Sequence, residues 1–113
     1  MKEIRAIIQP FMSAKVFKAL HQIGDLPGLT MSRVAGWGEA CTAGADHTFE
    51  EGGHMFAHKI MLQIVVTDRL VDLVVETIRE AAHTGNVGDG RIFIYEVADA
   101  WKIRTGDRGT EAL

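Results

Sequence analysis

An α+β fold, with two helices laid on one antiparallel sheet, is what this chain predicts, and three observations predict it. Four short apolar runs have strand character, two stretches repeat their apolar residues at helical spacing, and the six alternate as β-α-β-β-α-β. The 113 residues argue for a single domain, 1–113, long enough to bury a core without disulfide or metal support.

Residues 2–9 come first, with Ile4, Ala6, Ile7 and Ile8 forming a buried strand that Pro10 closes. Ser13 is placed to cap a helix whose apolar stripe is Val16, Ala19, Leu20 and Ile23, with Lys15, Lys18 and Gln22 outward and Gly24 ending it. His21, near its C-terminal end, suits the helix dipole and is read as structural or solvated. The turn signal Asp25-Leu26-Pro27-Gly28 precedes a second strand, about Leu29 to Gly36, which runs into Gly36-Trp37-Gly38. Residues 39–57 are rich in Gly, Ala, Glu and His and hold no period, so they read as a long loop. Lys59 to Val66 is the third strand, apolar at both parities and therefore covered on both faces. Asp68 is placed to cap the second helix, with Leu70, Leu73, Val74, Thr77, Ile78 and Ala81 inward. Ile92 to Val97 is the fourth strand, and the tail from Ala98 reads as loop. Two βαβ halves sharing one antiparallel sheet make the ferredoxin-like pattern, both helices on one face. Covering the other face by oligomerisation is the simplest solution for so short a chain.

Composition narrows the function. Hydrophobic and charged contents of 47% and 24% are those of an ordinary globular protein. A net charge of −3 lacks the basic footprint of a nucleic-acid binder. No run is long enough to span a bilayer, and Met1-Lys2-Glu3-Ile4-Arg5 lacks the apolar region of a signal peptide. The single Cys41 cannot form an intrachain disulfide, so a reducing cytoplasm is expected.

The stretch between the second helix and the fourth strand carries the strongest chemical signal. Thr84-Gly85-Asn86-Val87-Gly88-Asp89-Gly90-Arg91 holds three glycines in six residues and ends on a fixed charge. Glycines let the backbone come close to a ligand, and successive N–H groups in such a loop can converge on an anion. The spacing is neither a dinucleotide fingerprint nor a P-loop, and the alternative is a plain helix-to-strand turn. Lys59, Arg91, Lys102 and Arg104 could neutralise a polyphosphate held there; Lys102 and Arg104, two apart, would share one face of an extended segment. Read singly, each is a surface charge. The loop 39–57 and its flank add Cys41, Asp46, His47, Glu50, Glu51, His54 and His58, which is metal-ligand chemistry. His54 and His58 have the spacing that aligns two imidazoles on a helix, although no closed zinc pattern is present. The metal reading takes His47, His54 and His58 as ligands of a transition metal; its alternative is a solvated polar loop. Ser13, Ser32 and Cys41 sit in no nucleophile motif and no paired carboxylates stand out, so an enzyme is not expected.

Several stretches resemble the PII signal-transduction proteins over essentially the full length: Ile7-Ile8-Gln9-Pro10-Phe11, Gly36-Trp37-Gly38, the block from Thr84 to Phe93, and Ile103-Arg104-Thr105-Gly106. By that resemblance 39–57 corresponds to the family's T-loop, 84–91 to its B-loop and 102–113 to its C-loop. It implies a homotrimer of ferredoxin-like subunits that binds ATP or ADP, with AMP as a further candidate, in clefts between subunits. Gly88, Asp89, Gly90 and Arg91 would then hold phosphate, with Lys102 and Arg104 reaching across from a neighbour. Ile7, Thr30, Gly36, Trp37, Gly38 and Val65 would line the adenine and ribose side. The family's modified tyrosine is missing: Gly52 stands about where it belongs, and Tyr95, the only tyrosine, lies in a strand. Glu39-Ala40 replaces the glutamine that helps hold Mg²⁺ with 2-oxoglutarate, while Lys59 matches the lysine that meets 2-oxoglutarate. These departures resemble PII-like branches, some associated with heavy-metal efflux and others with bicarbonate or carboxysome functions; His83-Thr84-Gly85-Asn86 and the His-rich loop lean to the efflux-associated kind, whose target would be a protein such as a membrane transporter.

Overall fold

The computed structural model describes residues 1–38 and 48–113. Among them the elements run β1 (Lys2–Ile8), α1 (Ser13–His21), β2 (Thr30–Gly36), β3 (Thr48–Glu51), β4 (His54–Val66), α2 (Val71–Ala82) and β5 (Gly90–Glu96), with 3₁₀ turns at Pro10–Met12, Asp68–Leu70 and Gly109–Ala112. The main sheet has the order β2-β4-β1-β5, every neighbouring pair antiparallel, and β3 pairs with the start of β4. The expected ferredoxin-like α+β fold is therefore present, with one strand more than the sequence suggests.

Strand alternation gives the sheet two different faces. Ile4, Ala6 and Ile8 of β1 and Ile60, Leu62, Ile64 and Val66 of β4 are buried with Val16 and Leu20 of α1 and Val71, Val74, Ile78, Ala81 and Ala82 of α2. The register puts Glu3, Arg5 and Ile7, Met61, Gln63 and Val65, and Phe93 and Tyr95 on the opposite face. Among the described residues that face carries no helix, and Phe93 and Tyr95 are 41% and 44% exposed. Its centre is polar: the Arg5 guanidinium lies 4.7 Å from the Tyr95 ring centroid and 2.9 Å from Glu3, which also accepts from Gln63 at 3.2 Å.

Four expectations need correction. Ser13 is the first residue of α1 rather than its cap, and its hydroxyl donates back to the Pro10 carbonyl at 2.7 Å. Asp68 begins a 3₁₀ turn and accepts from the N-terminal ammonium at 3.0 Å; that bond and nearby Lys2 hold its carboxyl below the ordinary range. The inward stripe of α2 is rotated: Leu73 is 51% exposed, while Val71 and Ala82 are buried. Finally, the stretch read as loop to residue 57 contains β3 and the first residues of β4. Thirteen residues of β4 extend about 43 Å, so residues 54–57 run past the end of β1 as a ribbon with β3.

Candidate functional site

The Gly-rich loop sits where β1 ends and β5 begins. Ile8 pairs with Gly90 and Ile7 with Arg91, which brings the loop against the end of β1. Gly90 has φ +110°, and a Cβ there would lie 1.7 Å from the Ile7 carbonyl oxygen, so only glycine permits this approach. Within the loop, Asp89 turns inward. Its Oδ2 accepts from the Thr84 and Gly85 N–H groups at 2.8 and 3.0 Å, and its Oδ1 accepts from the Thr84 hydroxyl. The Thr84 hydroxyl bond is the main cause holding the Asp89 carboxyl below the usual range; desolvation opposes it, and the Thr84 and Gly85 backbone bonds add to the lowering. The anion on which these N–H groups converge is thus the chain's own carboxylate. Asp89 serves as the clasp of the loop.

The clasp leaves the Gly88 carbonyl facing the sheet, where two donors meet it. The Gln9 amide donates at 2.8 Å and the Lys59 ammonium at 3.1 Å. Gly36 closes over the stem of Lys59, whose Cγ lies 3.8 Å from where a Cβ on Gly36 would be. Ile7, Gly36, Lys59, Gly88, Gly90 and Arg91 therefore gather at one end of the uncovered face. Gln9 belongs with them and was missed as a site residue. Its position before Pro10, at the strand end nearest the loop, was the available signal.

Trp37 and Gly38 follow β2 at the same end, and the Trp37 ring turns away from Lys59. It stacks on His54 at 4.5 Å and meets Phe56 edge-on at 6.3 Å, on the face to which Ile60 and Leu62 also point. Thr30 and Val65 lie at the far end of the sheet. A groove of about 430 Å³ runs there between Glu3, Leu29, Thr30, Gln63 and Val65 and the C-terminal Leu113. From Lys59 to Val65 is six residues along one strand, about 20 Å.

Lys102 and Arg104 belong to this far end. The tail leaves β5 beside Met1, where Val97 N–H donates to the Met1 carbonyl. It then folds into a turn in which Lys102 N–H donates to Asp107 and Gly106 N–H to Lys102, both at 2.8 Å. Arg108 fastens the turn, lying 4.4 Å over the Trp101 ring and bonding Asp99 through Nε at 3.1 Å. The two cations are therefore on a turn and not on an extended segment, which removes the alternation argument for a shared face. Their placement keeps them away from the Gly-rich loop of their own chain.

The metal expectation changes most. His54 and His58 lie on β4, where four residues span about 13 Å instead of one helical turn. Each imidazole is stacked, His54 on Trp37 and His58 on Phe49 at 4.6 Å. Among the described residues no three His, Cys, Asp or Glu side chains gather as a metal site. His47, like Cys41 and Asp46, lies outside the described residues.

A sequence model described as nitrogen regulatory protein P-II matches residues 1–107. The chain belongs to the P-II family. It is 40% identical to nitrogen regulatory protein P-II of Rhodospirillum rubrum, with both chains covered in full. It is 43% identical to the nitrogen fixation nifHD region GlnB-like protein 2 of Methanothermobacter marburgensis, again with full coverage of both. Among solved structures, Arabidopsis thaliana PII bound to citrate superposes with a TM-score of 0.80 and 36% identity, covering 99% of this chain and 91% of that one. Membership makes this a regulatory signal-transduction protein of ferredoxin-like fold. The leaning towards a metal-efflux branch finds no support, because these P-II relatives are named for nitrogen regulation and nitrogen fixation. Among the described residues no helix is long and apolar enough to cross a membrane.

Proposed function

We propose that this P-II family member is a cytoplasmic homotrimer, not an enzyme, that binds an adenine nucleotide between subunits and relays its occupancy to a target protein. One observation carries the reading: Lys59 and Gln9 converge on the Gly88 carbonyl with Arg91 beside them, at one end of a sheet face that its own helices leave open. A polyphosphate fits that end, with Lys59 as a point charge and Arg91 as a fork. The remaining nucleotide contacts, Thr30, Val65, Lys102 and Arg104, belong to the other end of the chain. One subunit therefore offers two half-sites about 20 Å apart, and a neighbour's far end must meet the Gly-rich loop to complete a cleft. In this arrangement Asp89 shapes the loop and Gly36, Trp37 and Gly38 contribute backbone. Occupancy reaches the target through the strand that carries Lys59, since β4 runs directly into the ribbon. A ligand shifts the ribbon by its differential affinity for two ribbon states, and the γ-phosphate is what separates ATP from ADP at Arg91 and Lys102.

Calorimetry of the wild type and an Arg91→Ala, Lys102→Ala double variant with ATP, ADP and AMP tests this. Expected are saturable binding of ATP and ADP by the wild type and a loss of at least about tenfold in the variant, as for two charge-assisted contacts. Equal binding by both proteins, or none by the wild type, overturns the proposal.

A further inference from the structure

The ribbon formed by β3 and the start of β4 carries four rings, which with Trp37 just after β2 make a strip of five. Trp37 stacks on His54 at 4.5 Å with 25° between planes, and Phe49 stacks on His58 at 4.6 Å with 29°. Phe56 joins the two pairs, 6.3 Å from Trp37 and 6.0 Å from Phe49. The strip continues the parity of Ile60 and Leu62, yet those two are buried while its rings, past the end of β1, are half-buried or exposed. Trp37 is 66% exposed, and both imidazoles are exposed. Mutual stacking rigidifies the ribbon but leaves one side of the strip in water.

Charge decides what could lie on it. Residues 48–58 contain Glu50 and Glu51 and neither lysine nor arginine. Glu51 stands directly opposite His54 in the register, so its carboxylate shares the face with the Trp37–His54 stack. A second copy of the ribbon would bring carboxylate against carboxylate, and an anionic lipid surface would be repelled. A flat cation satisfies both features: a guanidinium can lie on an aromatic plane while its N–H groups reach a carboxylate, whereas an ammonium offers only a point charge.

We infer that this aromatic face docks a partner segment that presents arginine. The inference rests on the reading that the ribbon is the arm that engages a target, and it names the chemistry of that target. Trp37 then has two duties on two sides, backbone towards the nucleotide end and ring towards the partner.

The test uses the full chain with Trp101→Phe, which leaves Trp37 as the one tryptophan and keeps a ring beneath Arg108. Its fluorescence is titrated with the capped peptide Gly-Arg-Gly-Arg-Gly, with the lysine counterpart and with the glutamate counterpart. Expected is a saturable change with the arginine peptide, at least about threefold tighter than with lysine as cation–π stacking implies, and none with glutamate. Glu51→Gln, an exposed change whose fold is checked by circular dichroism, should weaken the arginine peptide and leave ADP binding unaltered. No saturable change with arginine, equal affinity for lysine, or indifference to Glu51→Gln overturns the inference. ADP titrated separately reports on the nucleotide proposal alone, so either can fail without the other.

Discussion

Gly90 shows how much one residue can be asked to do. Its φ of +110° and the 1.7 Å approach of the Ile7 carbonyl to a would-be Cβ combine backbone strain with a collision against main chain that cannot move aside. Gly90→Ala should cost about 4 kcal/mol or more, the range reserved for such collisions, read as a lowered midpoint in denaturant. Asp89 acts by charge. Because the folded chain depresses its pKa, its stabilisation is complete above the unfolded value of about 3.9 and is lost as pH falls through the folded value. The stability gap between wild type and Asp89→Asn should be open at pH 7 and close in acid, followed by denaturation midpoints from pH 7 down to pH 2. Spacing revealed the loop itself, since glycines punctuate it. It did not reveal that Asp89 faces inward, because a carboxylate between two glycines reads equally well as a ligand contact and as a clasp.

At the scale of elements, periodicity served where a segment has one wet and one dry side. Val16 and Leu20 of α1 and Val74 and Ile78 of α2 are buried as their spacing requires. It failed for the ribbon. An antiparallel ladder, braced by the Phe49 ring against Phe56 and His58, holds Thr48–Glu51 against His54–Ala57, and two glycines at Gly52-Gly53 form the turn. Such a hairpin has no alternation of apolar and polar residues to read, so histidines at i and i+4 looked like helix. β4 accordingly joins two regimes in one strand. Residues 60–63 are locked between β1 and β2, residues 64–66 pair with β1, and residues 54–57 hold mainly to β3. Amide exchange should be much faster at Phe56 than at Leu62, followed by mass spectrometry of overlapping peptides, because local opening tracks the number of packed neighbours.

For the whole molecule, sequence parity showed that the sheet has apolar residues on both faces, and the fold leaves one of them without a helix. What parity could not reveal is direction. Lys102 and Arg104 read as companions of the Gly-rich loop, but β5 carries the chain away from that loop before they occur. Only the topology shows that a single subunit keeps Lys102 and Arg104 at one end and the Gly-rich loop, with Lys59 and Arg91, at the other.

That separation ties ligand to assembly. If each nucleotide is shared by two subunits, then by mass action it holds them together, and its apparent affinity falls as the protein is diluted towards free subunits. The stored signal would then depend on how many copies the cell keeps as well as on how much nucleotide it holds. An excess of half-sites would be silent until a neighbour arrived.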